Sequence, residues 1–124
     1  MDNELKSLCE EVYEKLHWQV TEWVYCHGRR VLAAAIKFDT SDMHPHIPEY
    51  TSDYLFEQIE RRIGKDKVLH VYSMFDVDTY EKYCKANVGT PGTIEIQTDR
   101  TDTPRKALLK LVLALHEAGE LNHE

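Results

Sequence analysis

Two stretches of this chain open helices with the same chemistry, and they constrain the fold more than any other feature. In His46-Ile47-Pro48-Glu49-Tyr50-Thr51-Ser52-Asp53, Pro48 denies Ile47 the helical region, and Thr51, Ser52 and Asp53 each offer an oxygen to orphan helix N–H groups. In Thr101-Asp102-Thr103-Pro104-Arg105, Thr103 is a natural N-cap and Pro104 suits the first helical position. Apolar residues follow both starts at helical spacing. Leu55, Phe56, Ile59 and Ile63 form a stripe over 52–63, stopped at Gly64, and Leu108, Leu111, Val112 and Leu115 form one over 104–118, ended by Gly119. A helix with one apolar stripe must bury it against another layer, so the rest of the chain has to supply that layer.

The remaining segments supply a sheet and a third helix. Leu5, Leu8, Cys9, Val12 and Leu16 share a face over residues 3–16, an amphipathic helix entered through Asp2 or Asn3. Alternation replaces this pattern over Gln19–Tyr25 and continues over Arg30–Phe38, with His27-Gly28 between them, which predicts a β-hairpin. Ala33-Ala34-Ala35 favours helix by propensity, but the flanking Val31, Leu32, Ile36 and Phe38 favour strand. Asp39–Glu49 is loop-like, Val68–Met74 a buried strand, and Thr93–Gln97 a short strand with Ile94 and Ile96 inward after the turn Thr90-Pro91-Gly92. Phe75–Val88 fits either state: Tyr80, Tyr83, Cys84 and Asn87 have helical spacing, yet aromatics also suit strands. The expected fold is α+β, an antiparallel sheet packed between α-helices in a three-layer α/β/α sandwich, with residues 1–124 as one domain.

Charge and composition then narrow the function classes. A net charge of −7 argues against binding long nucleic acid, which needs a broad basic face, whereas a small anion needs only local arginines. No segment has the length of a membrane span, and Met1-Asp2-Asn3-Glu4 does not read as a signal peptide. Cys9, Cys26 and Cys84 are odd in number and widely spaced, which fits reduced thiols in the cytoplasm.

Catalytic and metal motifs are weak. His44-Pro45-His46 has ligand spacing but no cysteine pair beside it, and His116-Glu117 fails as HExxH because residue 120 is Glu, so no metal site is expected. There is no G-x-S-x-G, P-loop or GxGxxG, and Asp76/Asp78 and Asp99/Asp102 read as turn carboxylates. Neither an enzymatic activity nor a cofactor is expected. The junction from Gln97 to Lys106 is different: it collects amides, hydroxyls, Arg100 and Arg105 at one helix start, the chemistry of an anion site. A plain capped helix with surface arginines is the simpler reading of the same residues.

Glu14-Lys15-Leu16-His17-Trp18, Ile47-Pro48-Glu49-Tyr50-Thr51-Ser52-Asp53 and Thr103-Pro104-Arg105-Lys106-Ala107-Leu108, in that order along most of the chain, resemble the phage ABA sandwich domain family. Tyr54-Leu55-Phe56 departs from the small alanines common there, and Phe75–Gly92 does not align with it. The resemblance implies a phage or prophage origin, action in the host cytoplasm and a helix–sheet–helix sandwich. Proteins similar in size and layout include anti-defence sponges of Thoeris and CBASS immunity. These sequester cyclic ADP-ribose isomers or cyclic oligonucleotides without cleaving them, as homo-oligomers.

On that reading Arg100 and Arg105, with Thr101 and Thr103, hold phosphates, Tyr50 or Tyr54 stacks on a base, and Asn87 or Asp99 reads a polar edge. The rival is an acidic inhibitor that docks on a host defence enzyme such as a CRISPR effector through Glu10, Glu11, Glu14, Asp39, Asp42 and Glu49.

Overall fold

The computed structural model describes residues 3–18, 23–26, 29–32 and 47–121. The chain divides into two compact units, Met1–Tyr50 and Thr51–Glu124.

In the first unit, α1 spans Asn3–Leu16 and buries Cys9 and Val12, as its spacing predicts. His17, with φ 55°, donates its N–H to Tyr13 O at 2.8 Å, so the turn closes on a left-handed residue. β1 (Trp23–Cys26) pairs antiparallel with β2 (Arg29–Leu32), the expected hairpin, in a register that sets Cys26 opposite Arg29. The second half of the expected strand, 33–38, lies outside the described residues. Ile47–Pro48 is not loop but a short strand, β3, pairing with β1 at the sheet edge. An edge is where a residue without an N–H is tolerated.

The second unit carries α2 (Ser52–Arg62), β4 (Val68–Phe75), β5 (Lys82–Thr90), β6 (Thr93–Gln97) and α3 (Pro104–Glu117). Thr51 Oγ1 accepts from Tyr54 N at 3.2 Å and starts α2, which ends where Ile63 turns extended (φ −83°, ψ 161°) rather than at a left-handed Gly64. Thr103 Oγ1 likewise accepts from Lys106 N at 3.3 Å. α3 ends in a Schellman arrangement: Gly119, with φ 72°, donates to His116 O, and Glu120 N donates to Leu115 O.

The fold class is the expected α+β, with an antiparallel sheet packed against helices. The sheet order is β4-β5-β6. Cys84, Ala86 and Val88 of β5 and Leu69 of β4 are buried beneath α2 and α3, with Leu55, Ile59, Leu108, Leu111 and Leu115. Residues 82–90, ambiguous by spacing, are therefore strand. The inward set is Cys84, Ala86 and Val88 at period two, and the tyrosines at helical spacing fall on the other face or in the preceding loop.

Pro91 and Gly92 (φ 85°) make the β5–β6 turn, with Thr90 opposite Thr93. A bulge then sets Ile96 opposite Val88 but Ile94 opposite Gly89. The alternation of Ile94 and Ile96 predicts both inward. The extra residue of the bulge turns Ile94 onto the opposite face, where it is 58% exposed. Gly89 has no alternative at this crossing, since a Cβ would lie 2.0 Å from Thr93 O. Cys9 and Cys84 are buried free thiols. No helix among the described residues is long and apolar enough to cross a membrane.

Candidate functional site

The helix start at 101–106 is committed to its own chain. Thr101 pairs with Cys84 through two backbone bonds (Cys84 N to Thr101 O, 2.7 Å; Thr101 N to Cys84 O, 2.9 Å). Its Oγ1 lies 2.9 Å from Thr103 O and 3.2 Å from Cys84 O, so a single hydroxyl proton is shared by two carbonyls. Thr103 Oγ1 is taken by Lys106 N, Pro104 has no N–H, and the buried Lys106 ammonium pairs with Asp102 at 2.9 Å. An anion cradle needs exposed donors, and here Lys106 N and Ala107 N are already bonded to Thr103.

Arg100 Nη1 donates to Asp76 Oδ2 at 2.6 Å, and its guanidinium lies 4.0 Å from the centre of the Tyr83 ring. This pair holds the Asp76 carboxyl below the usual carboxylate range, helped by N–H donation from Asp78 and Thr79. The same bond raises the Arg100 guanidinium. Arg105 is half-buried in the first turn of α3, and Asp99 is exposed on the loop before it.

The two tyrosines of the expected site differ in burial. Tyr50 is fully buried, its OH donating to Trp18 O at 2.6 Å, so it has no ring face to offer a base. Tyr54 sits on α2, behind the sheet, and burial raises its phenol against the lowering influence of Arg62 and Arg61. Of the acidic contacts assigned to an inhibitor, Glu49 is buried, Glu11 pairs with Lys15 at 3.1 Å, and Asp39 and Asp42 lie outside the described residues. So do His44 and His46; among the described residues no three His, Cys, Asp or Glu side chains cluster to hold a metal.

Asn87 is the sequence-derived candidate that the structure places in a hollow. On the face of the sheet turned away from α2 and α3, a cavity of about 550 Å³ is lined by Val68, His70, Asn87, Gly89, Thr90, Pro91, Gly92, Thr93 and Ile94. Three features build it. The bulge turns Ile94 over, the Pro91-Gly92 turn walls one end, and the absence of a side chain at Gly89 leaves the space between. Gln97 Nε2 donates to Tyr72 OH at 2.7 Å, a bond that crosses β5 beside Asn87. Asn87 is only 6% exposed, and its carboxamide makes no hydrogen bond with any described residue. A buried amide with both donor and acceptor unmet is costly in a folded protein and calls for a partner.

Period-two alternation puts Tyr83 and Lys85 on the same face as Asn87. Lys85, two positions along β5 and roughly 7 Å away, is half-buried and makes no ion pair among the described residues. Neither His70 nor Lys85 stood out in the sequence. Their relevance comes from the register that sets His70 opposite Asn87. No family model, curated protein or solved structure matches this chain.

Proposed function

We propose that this protein is a non-catalytic binder of a small nucleotide, with the base seated in the Asn87 hollow. The observation that carries this reading is the buried Asn87 carboxamide, without a hydrogen-bond partner among the described residues, facing a cavity of about 550 Å³. A primary amide presents a donor and an acceptor side by side, the complement of a base edge, and Val68 and Ile94 supply apolar walls for its faces. The volume falls within the usual range for small-ligand sites. Lys85, rather than the capped start of α3, is the phosphate partner, because the Asp76 pair neutralises Arg100.

The analogy in size and layout to anti-defence sponges points to the same class of ligand, a cyclic ADP-ribose isomer or a cyclic oligonucleotide held without cleavage in the host cytoplasm. A sponge works by mass action and slow release, so no transition state has to be stabilised. Heat denaturation of freshly purified protein should release an ultraviolet-absorbing anion. Re-bound to fresh protein and recovered, that compound should elute unchanged; a new species would make the protein an enzyme.

A second reading, an inhibitor docking on a host protein, is favoured by the tip of the β4–β5 hairpin. There Phe75, Val77 and Tyr80 are 62%, 80% and 81% exposed. Asp76 Oδ1 accepts from Asp78 N at 2.9 Å and braces the turn, in which Tyr80 takes φ 59°. Rigid exposed anchors of this kind suit an interface. A partner retained from nuclease-treated host lysate and lost with Tyr80→Asp would support this reading over the nucleotide.

A further inference from the structure

We infer that β4 pairs with β4 of a second copy of this chain, antiparallel about a two-fold axis at Val71, to form one continuous six-stranded sheet. β4 is an edge strand of eight residues. Asp76 N donates to Glu81 O, which fixes the phase of the ladder: the even-numbered residues of β4 bond β5, and Leu69, Val71, Ser73 and Phe75 turn their N–H and C=O groups to the open side. None of these four has a backbone partner on that side among the described residues.

Edge strands are ordinarily protected by a charge, a proline or a bulge. β6 at the opposite edge has a bulge and Glu95. The sequence of β4, Val-Leu-His-Val-Tyr-Ser-Met-Phe, has none of these devices.

The strand is also complementary to itself. A two-fold through Val71 sets Leu69 opposite Ser73 of the second copy and forms about six backbone hydrogen bonds. On the cavity face it sets Val68 against Met74, side chains 38% and 49% exposed in one chain, and His70 against Tyr72. Met74 of the second copy would then lie beside Val68, on the rim of the Asn87 hollow. The pairing itself does not depend on any ligand.

Sedimentation velocity of the full chain tests this. The expected result is a species of twice 14.5 kDa. Val68→Lys with Met74→Lys sets lysine against lysine at both ends of the contact and should halve the mass while the circular dichroism spectrum is kept. Val68→Lys with Met74→Glu sets lysine against glutamate and should restore the dimer. A monomeric parent chain, or a dimer undisturbed by the double lysine variant, overturns the proposal.

Discussion

Arg100 is held from two sides: Asp76 accepts its Nη1–H at 2.6 Å, and the Tyr83 ring lies 4.0 Å beneath its guanidinium. The pair ties the β4–β5 turn to the loop ahead of α3, and Asp76 spends its other oxygen on the N–H groups of Asp78 and Thr79. A residue with the composition of a phosphate clamp is thereby a strut.

That strut has an acid signature. The folded-state carboxyl of Asp76 titrates below its unfolded value, so its stabilisation is complete above the usual carboxylate range and is lost as pH falls through the depressed folded value. Asp76→Asn retains an oxygen for the turn and removes the charge. Thermal melting followed downward in pH should fall more steeply for the parent chain than for Asp76→Asn through that window. Parallel slopes would contradict the assignment.

Thr101→Val keeps the shape and removes the shared proton. With Cys84 O and Thr103 O both deprived of that donor, a loss of about 1–3 kcal/mol in urea unfolding is expected. Thr103→Ala, which removes only the cap of α3, should cost about 1 kcal/mol, and Thr103→Ser little of it.

Gly89→Ala has to displace backbone, because its Cβ would meet Thr93 O at 2.0 Å. A loss of about 3 kcal/mol or more is expected, the upper range for overpacking, with amide exchange accelerated in β6. An unchanged urea midpoint would mean that the bulge is not built as described.

The helices were legible in the sequence because their signals are local. Thr51 and Thr103 cap the helices their spacing predicts, and the stripes of Leu55–Ile59 and Leu108–Leu115 are buried. The sheet was legible only in part. Spacing alone did not separate strand from helix around Tyr83 and Cys84, since the deciding fact is which neighbours bury Cys84 and Ala86. Ile94 was misplaced because a bulge is a property of the pairing with Val88 and Gly89. The surroundings of the expected anion site were not legible for a related reason: the sequence shows that Thr101 and Arg100 are near a helix start, but not that Cys84 and Asp76 bond them. The sequence singles out Asn87 by its chemistry alone, and the cavity around it needs a register that only the folded sheet supplies.

The Asn87 carboxamide, without a hydrogen-bond partner among the described residues, is proposed to meet a ligand, and Asn87→Leu separates that role from folding. Leucine has nearly the same shape and no unmet polar groups, so the variant should melt at or above the temperature of the parent chain. Isothermal calorimetry of both proteins against cyclic ADP-ribose isomers and cyclic di- and trinucleotides is the direct measurement. Saturable binding of one of these by the parent chain, weakened about tenfold to a hundredfold in Asn87→Leu, is the predicted result. No heat with any of them from folded protein, or equal affinity in the two proteins, would rule out that role for Asn87.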